Sequence, residues 1–345
     1  MKVAKRLLLI CTAFFFVITI SSCGNKNDFK YWNKCDALTN LKDYVKVVTN
    51  KKSDKYIPVE DRIAVFDMDG TLYGELFPEY LEYLMLEYRC LDDDTYNAPE
   101  DVKDVALAIR ESGKTYSTPD IENFDMKHAL AAAEAYSGMT IEEFYAYTNN
   151  FLKRDVSGFE GMTYKEAFYQ PMIEVVKYLQ KNNFTTYVVS GSDRFLCRAL
   201  VCDTLNIPYS QVIGMDVKLK GTNQGDTDGL KYQYQSNDKL IRTNELLIKN
   251  LKMNKVLQIE KEIGKQPVLS FGNSSGDVSM HNFTVSDNKY ESRAYMLVAD
   301  DTKRDHAKIE EANKRRASWE EYKYNVISME KDFKTIYKEN VKMIA

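Results

Sequence analysis

The sequence predicts an α/β protein: a parallel sheet with helices on both faces and an inserted, mainly helical cap. Three observations carry that reading. Short apolar runs stop abruptly at polar loop residues, helical patterns separate those runs, and about a hundred residues after the first run show helical periodicity without any strand pattern.

The first run is Ile63-Ala64-Val65-Phe66-Asp67, broken by Met68-Asp69-Gly70-Thr71. A continuous apolar stretch of this length is how a strand buried on both faces reads. The second is Thr185-Thr186-Tyr187-Val188-Val189, ending at Ser190-Gly191-Ser192-Asp193. A helix precedes it, opened by Pro171, with Met172, Val175, Val176 and Leu179 on one face and Asn182-Asn183 at its end. Val268-Leu269-Ser270-Phe271 is the third, ending at Gly272-Asn273, after a helix from Asn254 to Ile263 that stops at Gly264. Tyr295–Val298 and Val326–Ser328 add two strands around a charged helix at Asp305–Glu321. Between the first two strands, Pro78–Tyr88, Pro99–Glu111 and Ile141–Arg154 have helical spacing, so residues 79–162 are assigned to the cap. Gly158 and Gly161 would form its return hinge. The core then comprises residues 61–78 and 163–345, preceded by a tether and helical segment over 23–60.

The N-terminus reads as a targeting segment. Lys2, Lys5 and Arg6 precede an uncharged run, Leu7 to Ile20, which is too short for an ordinary transmembrane helix. It ends in Ile20-Ser21-Ser22-Cys23, which resembles the lipobox of bacterial lipoproteins. That resemblance implies a signal peptide over residues 1–22 and acylation of Cys23. The protein would be exported and membrane-anchored, in the periplasm or at the cell surface, with two lipid chains for stable attachment. A plain signal peptide with an incidental cysteine is the simpler alternative.

Composition narrows the remaining classes. The 345-residue chain carries a formal net charge of −4, more negative still without Lys2, Lys5 and Arg6, so no nucleic-acid partner is expected. Cys35, Cys90, Cys197 and Cys202 permit disulfides in an oxidising compartment, with three possible connectivities. The absence of a C-x-x-C pair argues against zinc and thioredoxin-like chemistry. His128, His281 and His306 are scattered, and none accompanies a nucleophile motif.

In open α/β sheets, ligands bind beyond the carboxyl ends of the strands. Three such ends carry Asp67/Asp69, Ser190 and Asn273/Asp277, which gives these polar residues a common location. Two carboxylates two residues apart can divide labour, one attacking or binding metal while the other transfers a proton. Gly70 lets the backbone turn closely around an anion.

Asp67-Met68-Asp69-Gly70-Thr71, then Ser190, a lysine-bearing helix, and Gly272-Asn273-Ser274-Ser275-Gly276-Asp277 resemble, in order, the four motifs of the haloacid dehalogenase (HAD) superfamily. The phosphoserine phosphatase and phosphorylcholine phosphatase-like enzymes are the branch most similar, over about residues 60–335. The resemblance implies a Rossmann-like fold and a Mg²⁺-dependent phosphomonoesterase that works through an aspartyl-phosphate. Asp67 would be the nucleophile. Asp69 would act as acid and then base, and its main-chain carbonyl would bind the metal. Gly70 and Thr71 would support the turn, while Ser190 and the Gly191 amide would hold the phosphate. Lys255 would neutralise the aspartate–phosphate pair, with Lys239, Lys261 and Lys265 as competitors. Asp67, Asp69, Asn273 and Asp277 are the implied Mg²⁺ ligands. Asn273 departs from the aspartate of many relatives and contributes no charge, which Asp277 could restore.

A carboxylate attacking a phosphate dianion meets like-charge repulsion of several kcal/mol when water is excluded. A metal ion and a lysine offset it. Glu75 lies where a cap-facing acid of this branch would meet a substrate amine. Tyr80, Tyr83, Tyr145 and Tyr147 could form an aromatic cage for a quaternary ammonium or simply pack the cap. The expected partner is thus a small phosphate ester, with phosphocholine, phosphoethanolamine or phosphoserine as examples. A HAD phosphotransferase, or a lipid-anchored binding protein on an inactive scaffold, is the alternative.

Overall fold

A computed structural model describes residues 28–75, 80–114 and 117–344. The lipobox Ile20–Cys23 lies outside the described residues, and no described helix is long and apolar enough to cross a membrane.

In chain order the elements are α1 (Asp36–Thr49), β1 (Ile63–Phe66), α2 (Leu81–Leu91), α3 (Glu100–Gly113), α4 (Phe124–Ala135), α5 (Ile141–Phe151), β2 (Phe159–Glu160), α6 (Gln170–Lys181), β3 (Thr185–Asp193), α7 (Arg194–Leu205), β4 (Val212–Gly221), β5 (Leu240–Ile248), α8 (Met253–Glu262), β6 (Leu269–Gly272), α9 (Val278–Val285), β7 (Arg293–Val298), α10 (Ile309–Glu321), β8 (Asn325–Ser328), α11 (Met329–Asp332) and β9 (Lys342–Met343). Seven strands form one sheet in the order β5-β4-β3-β1-β6-β7-β8. All its pairings are parallel except that of β5, which runs antiparallel along β4.

β1 sits near the middle of the sheet and is buried along its whole length. Its side chains alternate between two cores: Ala64 and Phe66 join the cluster that includes α1, α6 and α7, while Ile63 and Val65 pack with Ile259 of α8 and Met280 of α9. β7 alternates in the same way, with Ala294, Met296 and Val298 facing Ala312 and Trp319 of α10. Helices therefore cover both faces, as a parallel sheet requires. Phe66, Phe271 and Tyr295 stack in succession across β1, β6 and β7, with ring centroids 4.4 and 4.9 Å apart.

All the strands expected from sequence are present. The second is longer than expected and runs on through Ser190–Asp193, whereas the charged helix starts later, at Ile309. The β4–β5 hairpin was not expected. Helices α2–α5 fill the segment assigned to the cap, and the glycines at its return, Gly158 and Gly161, hold φ of 83° and 76°. Backbone pairing ties this layer to the sheet edge, with Gly138 N–H donating to Arg242 O at 2.9 Å and Arg242 N–H to Met139 O at 2.9 Å. Cys35, Cys90, Cys197 and Cys202 are all free thiols.

Candidate active site

The chain leaves the sheet at Asp67, whose N–H donates to Phe271 O at 2.9 Å and so keeps the loop tied to β6. It then folds sharply, with the Leu72 and Tyr73 amides both donating to Met68 O, at 2.9 and 3.0 Å. Gly70 sits in this turn at φ 76°, and a Cβ there would lie 1.9 Å from Asn273 Nδ2. Two independent demands, a left-handed backbone and contact with the fourth-motif loop, thus require glycine. Thr71 is fully buried in the same turn, and its hydroxyl has no partner among the described residues.

Lys255 lies in the first turn of α8 and is buried beneath the strand ends. Its ammonium donates to Asp67 Oδ1 at 2.5 Å and to Asp277 Oδ1 at 2.7 Å. Burial alone would lower the lysine pKa, but Asp277 and Asp67 together raise it. The competitors stay outside the site: Lys239 and Lys261 are exposed, and Lys265 pairs with Asp61 at 2.6 Å.

The acids share one cation unequally. Burial, reinforced by Asp277, raises the Asp67 pKa while Lys255 opposes the shift. Asp277 stays below the ordinary range because Lys255 outweighs its burial. Asp69 has no cation partner among the described residues. Burial and the neighbouring Asp67 push its pKa well up. Its Oδ2 accepts from Ser192 Oγ at 2.8 Å, and its Oδ1 is buried without a partner.

Asp277 does more for the loop than for a cation. Its Oδ2 accepts from the Asn273 and Ser274 amides at 3.1 and 3.0 Å, so both of its oxygens are engaged. Asn273 instead donates through Nδ2 to Glu75 Oε1 at 2.8 Å, which leaves its buried Oδ1 unpartnered.

These groups line one cavity of about 420 Å³. Asp67, Asp69, Lys255 and Asn273 line it together with Tyr80, Glu82, Tyr83 and Asp125 of the helical layer. At the end of β3 the wall is made by Gly191 and Ser192. Ser190 is fully buried behind them, and its Oγ accepts from Ser192 N–H at 3.0 Å. Glu75 faces the cavity and lies 3.7 Å from Arg315. Tyr145 packs on Phe195 and Tyr209, and Tyr147 donates to Asp93 at 3.0 Å, so these two tyrosines serve packing.

The donor set fits Mg²⁺, a hard cation that takes oxygen ligands from one or two side chains and keeps several waters. The unpartnered Asn273 Oδ1 beside Asp67 is the observation that favours it, since buried polar atoms are otherwise paired. No cluster of three or more His, Cys, Asp or Glu side chains suited to a metal occurs among the described residues.

Several residues of the cavity lining carry no motif in the sequence, among them Asp125, Lys252 and Arg315. Ser192, Glu82 and Lys249 all line the cavity. Ser192 lies two positions past the expected phosphate-binding serine, and the polar run Ser190–Asp193 was its one local signal.

No protein-family model matches the chain, and no curated protein matches it. Among solved structures, it is similar to a conserved, functionally unknown protein from Anaerococcus prevotii DSM 20548. That match has 16% identity and a TM-score of 0.51, and covers 90% of this chain and 97% of that one. A Bordetella pertussis Tohama I protein of unknown function has 12% identity and a TM-score of 0.48, over 77% of this chain and 97% of its own. Cytosolic 5'-nucleotidase IIIB, solved bound to cytidine, has 12% identity and a TM-score of 0.47, over 84% and 83%. At such an identity the first likeness speaks for the fold alone. The fold is Rossmann-like α/β.

Proposed function

We propose that the chain is a HAD-superfamily phosphatase that hydrolyses a small phosphate monoester through an aspartyl-phosphate on Asp67. One observation carries the reading: the buried Lys255 ammonium joins Asp67 to Asp277 within a cavity at the carboxyl ends of β1, β3 and β6. A structural ion pair needs one carboxylate. A lysine shared by two, one of them facing a cavity, suits a nucleophile that must approach an anion.

Asp67 would attack phosphorus, and the bond to the ester oxygen would break. That oxygen leaves as an alcohol by taking the proton held on Asp69. Water then attacks the acyl phosphate, Asp69 takes a proton from it, and inorganic phosphate leaves with Asp67 restored. Lys255 holds Asp67 in place and offsets the negative charge that gathers around phosphorus. Mg²⁺, held by Asp67, the Asp69 main-chain carbonyl and Asn273, would supply further charge neutralisation. Asp277 is assigned to the loop and to Lys255, because its oxygens are occupied there.

The cavity lining favours a cationic leaving group, since Glu75 and Asp125 lie in it with Tyr80 and Tyr83. A phosphorylated amine or amino acid is therefore the proposed substrate class. Export and anchoring through Cys23 belong to the proposal on the strength of the Ile20–Cys23 motif, and labelling with a radioactive fatty acid, with and without Cys23→Ser, tests them.

The decisive measurement is turnover of para-nitrophenyl phosphate with and without Mg²⁺, beside Asp67→Asn. Metal-dependent turnover that the substitution abolishes is expected. Equal activity of the two proteins would remove the phosphatase reading.

A further inference from the structure

The backbone from Ser190 to Asp193 is clamped at both ends by groups outside the reacting set. Asn250 Nδ2 donates to the Ser190 carbonyl at 2.9 Å. The Asp193 N–H donates to Glu82 Oε2 at 3.1 Å, a bond that reaches from the start of α7 to α2 of the helical layer. Asp193 is held in turn: its Oδ1 accepts from the Phe195 and Leu196 amides and caps α7, and its Oδ2 accepts from Arg242 at 2.6 Å. The other oxygen of Glu82 accepts from Lys249 at 2.6 Å. Between the clamps stands Ser192, whose hydroxyl donates to Asp69 Oδ2.

Glu82, Ser192, Asp193, Arg242, Lys249 and Asn250 are all buried. A buried ion pair such as Glu82–Lys249 adds little stability over an apolar pair of the same volume. Its geometry does something an apolar pair could not: Lys249 holds one Glu82 oxygen while the other accepts the Asp193 amide, so the carboxylate is fixed where the backbone needs an acceptor. Because Ser192 occupies Oδ2 of Asp69, Oδ1 is the oxygen left unengaged among the described residues. A shift of the 192–193 backbone would turn that oxygen away from the leaving group, and displacements of about 1 Å can cost 100-fold in rate.

We propose that Glu82, held by Lys249, is a positioning residue: it fixes the Asp193 amide and thereby the Ser192 hydroxyl that aims the Asp69 carboxyl at the leaving oxygen. The inference rests on the phosphatase reading. It makes docking of the helical layer and placement of the proton donor one event, because α2 supplies the acceptor.

The test compares two esters through kcat/KM, which reports the step in which the leaving group departs. Nitrophenolate leaves with little help from an acid, whereas the alkoxide of propyl phosphate needs a proton. In Glu82→Leu/Lys249→Met, kcat/KM should fall about ten-fold more for propyl phosphate than for para-nitrophenyl phosphate. Glu82→Gln/Lys249→Met restores an acceptor and should recover most of the loss. Equal losses on both esters, or no loss on either, would overturn the proposal. Should the apolar double variant fail to fold, Ser192→Ala decides, with the same selective loss expected and an unselective loss, or none, refuting it. Failure of the unaltered protein to turn over para-nitrophenyl phosphate with Mg²⁺ would instead defeat the underlying phosphatase reading, before any variant is compared.

Discussion

Lys255→Met removes the ammonium while keeping most of the side-chain volume, and its consequences can be worked from the contacts. Lys255 is 1% exposed and lies 2.5 Å from Asp67 and 2.7 Å from Asp277, so the variant leaves two buried carboxylates facing each other without a cation. Breaking such a pair costs about 3–5 kcal/mol. The carboxylates can escape part of that cost by binding a proton, and each proton bound costs about 1.4 kcal/mol per pH unit above the ordinary carboxyl pKa of about 4. The escape is cheap at pH 5, at about 1–2 kcal/mol, and expensive at pH 8, where about 5 kcal/mol is the ceiling. The sign follows from linkage. In the variant the folded-state carboxyl pKa stands above the unfolded value, so the folded state holds the extra proton and stability falls as pH rises. A difference of about 3 kcal/mol between the two pH values corresponds to about 5 °C in Tm for roughly 300 ordered residues. Thermal melts of EDTA-treated protein at pH 5 and pH 8 read it directly. Phosphatase turnover should fall at least about 1,000-fold at either pH. A Tm loss of equal size at both pH values would mean that packing rather than charge was removed. Turnover like that of the unaltered protein would take Lys255 out of the site.

Gly70→Ala should destabilise the protein by about 1–3 kcal/mol and cut kcat/KM about 100-fold, because the turn holds φ 76° and the new methyl would press on Asn273; urea denaturation and steady-state kinetics measure both. Asn273→Asp should lower the Mg²⁺ concentration giving half-maximal activity by about ten-fold, since it adds charge to the donor set. The metal-free variant should melt lower, because the new carboxylate faces Glu75 at the position of a 2.8 Å hydrogen bond. Asp305→Asn tests a second buried acid. Burial, with Asp301 and Glu75 nearby, raises Asp305 to about 7 although it accepts bonds from Tyr337 and the His306 amide. Its folded pKa is above the unfolded one, so it lowers stability as pH rises from about 4 to 7. The variant should melt above the unaltered protein at pH 8, by up to about 4 kcal/mol of added stability, and match it near pH 4.

The strands that proved legible were those buried on both faces. β1, β6 and β7 bury nearly every residue, so their sequences are continuous apolar runs that a reader recognises locally. β5 was invisible for the opposite reason. As the antiparallel edge strand it leaves every residue of Leu240–Ile248 except Arg242 exposed or half-exposed, so Thr243, Asn244 and Glu245 look like loop. The same exposure lets β5 serve as the docking edge for the helical layer, through the backbone pairing at Met139 and Arg242.

Chemistry followed a similar division. Asp67, Asp69, Gly70 and Asn273 were readable because loops at strand ends concentrate polar residues in short, ordered motifs. Lys255 had to be chosen among four lysines, and what distinguishes it is burial in the first turn of α8, a property its neighbours in sequence do not announce. Glu82 and Lys249 lay beyond reach altogether. They are 167 positions apart, and each alone reads as an ordinary surface charge on an amphipathic segment. Their pairing exists only because α2 lies over the end of β3 while the turn after β5 passes beneath it, bringing Asn250 against Ser190 and Lys249 against Glu82. A motif can place the reacting atoms, but the groups that hold a proton donor to a fraction of an ångström come from wherever the tertiary fold supplies a buried acceptor. Here it supplies one from the helical layer, where Glu82 of α2 accepts the Asp193 amide.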